Sequence, residues 1–169
     1  MAAELELLRY RYLQKLNDLY GGEKEMLEML PEAVDRALSL PLKSALQYLL
    51  EKTQGHVQRL EQVFAEMGRK PANFKRPAIA TLIPEGRHWL ETDEWAAEAD
   101  IWLISAARKF ERCEISGYLA ALNYAQILRD HAAADLLEQT LNEEYEADRI
   151  LAGLTEVARA AEEMEEASA

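Results

Sequence analysis

Apolar residues recur along the chain at mixed spacings of three and four, the signature of long amphipathic helices. The first such pattern runs from about Glu4 to Leu38, with Leu8, Tyr12, Leu16, Leu19, Glu23, Met26 or Leu27, Leu30, Val34 and Ala37 on its stripe. Pro31 inside it predicts a kink or local break, and Gly21 and Gly22 weaken it. The tight link "SLP" at 39–41 follows, with Pro41 suited to the first turn of the next helix. That helix reaches about Met67 with Leu42, Leu46, Leu49, Thr53, His56, Leu60, Val63 and Met67 on its stripe, and Gly68 is a natural stop. Residues 69–94 are Pro-rich and locally basic, with an apolar segment from Ala78 to Leu90 that predicts a short extra helix in a long crossover. A third pattern runs from near Glu94 to about Leu128. After a break at "RDH", a fourth runs from about Ala132 to beyond Val157, and the acidic tail at 159–169 is expected to fray.

Two helical pairs with short turns, joined by one long crossover, describe a ferritin-like four-helix bundle better than a simple up-down bundle. A chain of 169 residues is one domain in size, so positions 1–169 are read as a single all-α unit. Only seven Gly and five Pro are present, as long helices require. The formal net charge of −12 argues against nucleic-acid and membrane partners; it would attract cations, although solubility is the commoner reason for such an excess. Cys113 is the single cysteine, so no intrachain disulfide forms. The N-terminus lacks the apolar core of a secretory signal, and no run approaches the ~18 apolar residues of a membrane span. These features predict a cytoplasmic protein. The apolar side chains of the crossover (Phe74, Ile79, Leu82, Ile83, Trp89) exceed what one short helix hides and predict a homodimer.

The stripes carry polar exceptions: Glu23 on the first helix, Thr53 and His56 on the second, Glu111 and Glu114 on the third, Glu144 and Asp148 on the fourth. An ionised carboxylate in an apolar core is costly unless it pairs, binds metal or takes a proton. In an antiparallel pair, residues equally far from the turn lie at the same height, because each residue rises 1.5 Å. Glu23 lies about seventeen residues before the first turn and His56 about sixteen after it. Glu114 and Glu144 each lie about fifteen residues from the second turn, with Glu111 and Asp148 about one turn further away. Docked in the ferritin-like way, these sets converge at mid-bundle as a di-iron or di-manganese carboxylate site, with iron, manganese or zinc favoured over calcium by the histidine. The pattern departs from the two Glu-x-x-His motifs of such sites: the second helix has Thr53-x-x-His56 and the fourth Glu144-x-x-Ala147.

The segments "LNDLYGGEKEMLEMLPEAVDRA", "TQGHVQRLEQVF", "LISAARKFERCEISGY" and "LLEQTLNEEYEADRIL" resemble the YciE/YciF-type bacterial ferritin-like proteins over roughly residues 10 to 155. The resemblance implies a dimeric bundle linked to bacterial stress responses, with a candidate dinuclear centre of iron or manganese. Glu23, Glu111, Glu114, Glu144 and Asp148 fall on that family's acids. Where the family has a His-Leu-x-Glu-Thr motif this chain reads "LLEKT", with Leu49 for the histidine and Lys52 for the glutamate. His56 stands in place of a glutamine, Arg112 in place of a frequent histidine, and Ala80 in place of a frequent glutamate.

The leading expectation is a stress-associated metal-binding protein using Glu23, His56, Glu111, Glu114, Glu144 and Asp148, with oxidation chemistry at the metal if it is an enzyme. The opposing expectation is a non-enzymatic structural or interaction bundle in which Lys52 replaces the metal charge by pairing with Glu23, Glu114 or Glu144. On a third reading Lys52 snorkels to solvent and does neither.

Overall fold

The computed structural model describes residues 2–72 and 99–166. They form four helices: α1 Ala2–Arg36, α2 Leu40–Glu66, α3 Ala99–Ile127 and α4 His131–Glu166. No strand occurs among the described residues. α1 packs on α2 and α3, and α4 packs on α3 and α2, so α2 and α3 face each other across the bundle diagonal. Asp100, at the start of α3, accepts hydrogen bonds from the backbone N–H groups of Leu38 (2.7 Å) and Ser39 (2.8 Å) in the α1–α2 turn. α2 and α3 therefore begin at the same end and run parallel, so the end of α2 and the start of α3 lie at opposite ends of the bundle. This is the ferritin-like connectivity. The short helix predicted for Ala78–Leu90, the crossover residues of the predicted dimer surface and the start of the third helix near Glu94 lie outside the described residues.

α1 continues through Pro31, so the predicted break does not occur. A proline forfeits one backbone hydrogen bond, and the buried Leu30, Ala33 and Ala37 on either side hold both halves of α1 to the same core. α4 extends to Glu166.

The core is in two pieces. One, at the α1–α2 turn, joins Leu30 and Ala33 of α1, Leu46 and Leu49 of α2, Phe110 of α3 and Leu151 of α4. The other, at the α3–α4 turn, joins Leu16 and Leu19, Leu60 and Phe64, Tyr118 and Ala121, and Leu137. Four stripes of this kind bury enough apolar area to hold helices that would be marginal alone.

The helix ends follow local rules. Ser39 caps α2, its side-chain oxygen accepting from the Leu42 N–H at 3.4 Å, with Pro41 in the first turn. Gly68 stops α2 with φ +64°, and the Arg69 N–H returns to the Phe64 carbonyl at 2.9 Å. The same motif ends α3, where the Asp130 N–H returns to the Ala125 carbonyl at 2.9 Å, but here Arg129 holds φ +58°. The left-handed region costs a residue with a Cβ roughly 1–2 kcal/mol. Arg129→Gly is therefore expected to raise stability by about 0.5–1 kcal/mol, part of the relief being offset by the freer unfolded chain. Gly68→Ala, which meets no atom within 4 Å, is expected to lower it by about 1 kcal/mol through φ alone. Urea melts of both variants check this; equal and opposite shifts of midpoint to those stated would refute it.

Candidate metal centre

Between the two core pieces lies a layer of polar side chains drawn from all four helices. Helical periodicity puts them inside, because their neighbours three or four residues away are core. Leu19 and Met26 flank Glu23; Leu49 and Leu60 flank Thr53 and His56; Ala107 and Tyr118 flank Glu111 and Glu114; Leu141 and Ala147 flank Glu144. All six polar residues are buried, Glu23 and Glu114 at 1% exposure and His56 and Glu144 at 3%.

His56 is the hub. Its Nδ1 lies 3.3 Å from Oε1 of Glu23 and 3.0 Å from Oε1 of Glu144. These are close charge contacts rather than aligned hydrogen bonds, for Nδ1 has no hydrogen-bond partner. Nε2 lies 3.1 Å from Oε2 of Glu143, which also receives Arg59 Nη2, while Lys52 Nζ sits 3.6 Å from Oε1 of the same carboxylate. Arg59 is itself anchored, Nε donating to Thr140 Oγ1 at 2.8 Å. On the far side of the layer the Tyr118 hydroxyl donates to Oε1 of Glu23 at 2.6 Å. Glu111 hydrogen-bonds Glu144, and Oε2 of Glu111 is buried without a hydrogen-bond partner. A cavity of about 10 Å³ opens among Glu23, Thr53, His56, Glu111, Glu114 and Glu144, with Leu49, Lys52, Phe110 and Ala147 completing its wall.

Burial dominates the electrostatics. It pushes the carboxyl of Glu111 well above the usual range, reinforced by the charge of Glu144, and raises Glu144 likewise. Two neighbouring acids in a buried layer are not both ionised at ordinary cost, so the neutral form is favoured there. Burial, with Glu23 next, keeps Tyr118 a neutral donor. For His56 burial acts downward, but the carboxylates of Glu23 and Glu143, opposed by Arg59, lift it above its ordinary value. Burial would raise Glu143, yet Arg59, His56 and Lys52 hold it below the usual carboxylate range.

One nitrogen of His56 and one oxygen each from Glu23 and Glu144 lie within 4.8 Å of one another, all three residues buried. Nitrogen and carboxylate oxygen together suit a first-row divalent cation. The partnerless Nδ1 and the orphaned Glu111 oxygen are what such an ion would satisfy. Of the residues expected from sequence, Glu23, His56 and Glu144 meet, while Glu111 and Glu114 line the same cavity. Asp148 does not join them. Its Oδ1 accepts from Arg108 Nε at 2.8 Å, with Arg112 Nε 3.8 Å away. Asp148 has the expected height, but one residue beyond Ala147 turns it about 100° off the inward face. The ion pair found for Lys52 is with Glu143, at the layer's edge, not with Glu23 or Glu144. Sequence reasoning missed Tyr118, Glu143 and Arg59. Tyr118 was readable in principle, one turn after Glu114 on the same face; Glu143 and Arg59 sit at the stripe's margin, where pattern alone does not separate inward from solvated.

Residues 7–165 match the family described as Domain of unknown function (DUF892), and the chain belongs to it. Protein YciF of Escherichia coli (strain K12) is 33% identical over 138 residues, 81% of this chain and 83% of that protein. The crystal structure of the E. coli stress protein YciF superposes with a TM-score of 0.85 at 30% identity, covering 90% of this chain and 97% of that one. YcfI of Rhodopseudomonas palustris superposes at 0.79 with 30% identity, over 85% and 92% of the two chains. Ferritin-like, diiron-carboxylate proteins of Bacillus anthracis share the fold at 0.67 with 18% identity, over 92% and 99%. The likeness to YciE/YciF-type proteins read from the sequence is confirmed. No helix among the described residues is long and apolar enough to cross a membrane.

The raised Glu111 and Glu144 carboxyls imply a pH dependence. A group whose folded pKa exceeds its unfolded value stabilises the fold at low pH, and that contribution is lost as pH rises through the folded value. Chelator-treated protein is therefore expected to lose stability as pH climbs above the ordinary carboxylate range. Glu111→Gln, which keeps a neutral hydrogen-bonding group, should flatten that decline. Denaturant midpoints across the pH series measure it, and parallel slopes for the two proteins would contradict the raised Glu111 carboxyl.

Proposed function

We propose that this member of the DUF892 family is a bacterial, stress-associated ferritin-like protein that binds iron or manganese at mid-bundle through Glu23, His56 and Glu144. The observation that carries the reading is the meeting of His56 Nδ1 with an oxygen of each glutamate in a buried layer, the nitrogen having no hydrogen-bond partner. The likeness to the E. coli stress protein YciF supports the physiological class. Glu111 and Glu114 line the same cavity and are the further carboxylates on offer. Iron held there would supply oxidation chemistry with dioxygen or peroxide.

The chain's own residues do the rest. Glu143 takes the Nε2 side of His56, which leaves Nδ1 facing the cavity. Arg59 and Lys52 hold Glu143 in turn. Such partners of a ligating histidine fix its tautomer and ring orientation. Tyr118 fixes one oxygen of Glu23. The apolar pieces on both sides exclude water.

The competing reading is a non-enzymatic bundle in which Lys52 stands in for the metal's charge. Lys52 lines the cavity, but its ion pair with Glu143 is partly exposed, 31% on the lysine side. We also propose a homodimer, which light scattering tests against the 19.2 kDa of the single chain.

Protein expressed with iron and manganese available is expected to retain more than trace transition metal, and His56→Ala to lose it. Elemental analysis and titration finding no metal in the parent protein would remove the metalloprotein reading. In chelator-treated protein Lys52→Ala is expected to cost about 1 kcal/mol or less, as partly exposed pairs do. A cost of roughly 3–5 kcal/mol, as for a broken buried pair, would favour the competing reading. Lys52→Glu should raise metal affinity by adding a carboxylate beside the cavity.

A further inference from the structure

A dinuclear carboxylate site in a four-helix bundle draws one glutamate from each of two helices and a Glu-x-x-His pair from each of the other two. The histidine of α2 is present as His56, but its Glu position is Thr53; on α4 the Glu is present as Glu144, but its His position is Ala147. The structure shows that these losses are not evenly shared. Around His56 a nitrogen and two carboxylate oxygens converge. The same cavity is also lined by Leu49, Phe110 and Ala147, all members of the apolar core piece, beside Glu111 and Glu114. A second cation beside Leu49, Phe110 and Ala147 would meet hydrocarbon where the pattern needs a histidine, and an ion short of ligands in a buried site is strongly disfavoured. Lys52 also lines the cavity, its ammonium group paired with Glu143 at the edge. Asp148, which follows Ala147, is held by Arg108. The cavity volume of about 10 Å³ suits a single occupant of water or ion size.

We propose that each chain holds one divalent cation, on Glu23, His56 and Glu144, and that the second position of a dinuclear site is filled by Leu49, Phe110 and Ala147. This rests on the metal reading above and narrows it. Nδ1 of His56 and Oε2 of Glu111 belong to residues that line the cavity and have no hydrogen-bond partner, whereas Leu49, Phe110 and Ala147 offer it only carbon. A single ferrous ion gives up one electron on oxidation, so two-electron chemistry by an iron pair within one bundle is not open to this chain.

The test is stoichiometry on the full-length protein. Chelator-stripped protein is titrated with Mn(II), freed of loose metal by gel filtration, and its metal counted per chain; electron paramagnetic resonance then reports whether the ions are isolated or exchange-coupled. The expected result is one Mn(II) per chain with the spectrum of an isolated ion, lost in His56→Ala. Ala147→His, which restores Glu-x-x-His on α4, is expected to raise the count towards two and to introduce coupling. Two ions per parent chain, or a coupled pair in the parent, would overturn the single-cation proposal while leaving the metal reading intact. No retained Mn(II), Fe(II) or Zn(II) in the parent would overturn both. If Ala147→His does not fold, the parent's count and spectrum still decide.

Discussion

Four glutamates and one imidazole share a buried layer, and the organisation of the bundle follows from how that layer is made tolerable. Each uncompensated charge there would cost several kcal/mol. The layer is neutralised piecemeal. Tyr118 donates to Glu23, burial and mutual repulsion push Glu111 and Glu144 towards the neutral form, and the His56 ring is held between Glu23, Glu144 and Glu143. Each of these contacts joins different helices, so the layer specifies register in a way that the apolar pieces above and below it do not. A leucine stripe tolerates sliding; an imidazole set among three carboxylates and a tyrosine bonded to one of them do not.

The layer is also lopsided. Its His56 side has an outer support in which Glu143, Arg59 and Thr140 tie α2 to α4. Its Ala147 side merges into the apolar core. Where related sequences are expected to place a histidine and a glutamate, Leu49 is buried in that core and Lys52 reaches outward to Glu143. Leu49 adds apolar lining to the cavity, and Lys52 places a cation at its rim. The fold is common to this chain and to ferritin-like proteins at low identity, while the chemistry rests on these few positions.

Much of this was readable from the chain alone. Helix spans, the tight turn at Ser39–Pro41, the stop at Gly68 and the inward placement of Glu23, His56, Glu111, Glu114 and Glu144 all follow from local rules and a 3.6-residue period. The level heights within each pair followed from the rise per residue. At Pro31 the local break, one of the two outcomes expected there, does not occur, because core contacts hold α1 together around the lost hydrogen bond.

The sequence by itself determined which residues line each helix's inner face and how high they stand within their own pair, because both depend only on helical geometry. The tertiary structure decided how the two pairs meet, since a long crossover transmits no register from one to the other. It also decided the fates of residues at the stripe's edge. Asp148 turned to Arg108, Lys52 to Glu143, and Glu143 to His56. A residue at the margin of a stripe lies between core and solvent, and only the neighbouring helix determines whether it meets an arginine, an imidazole or water.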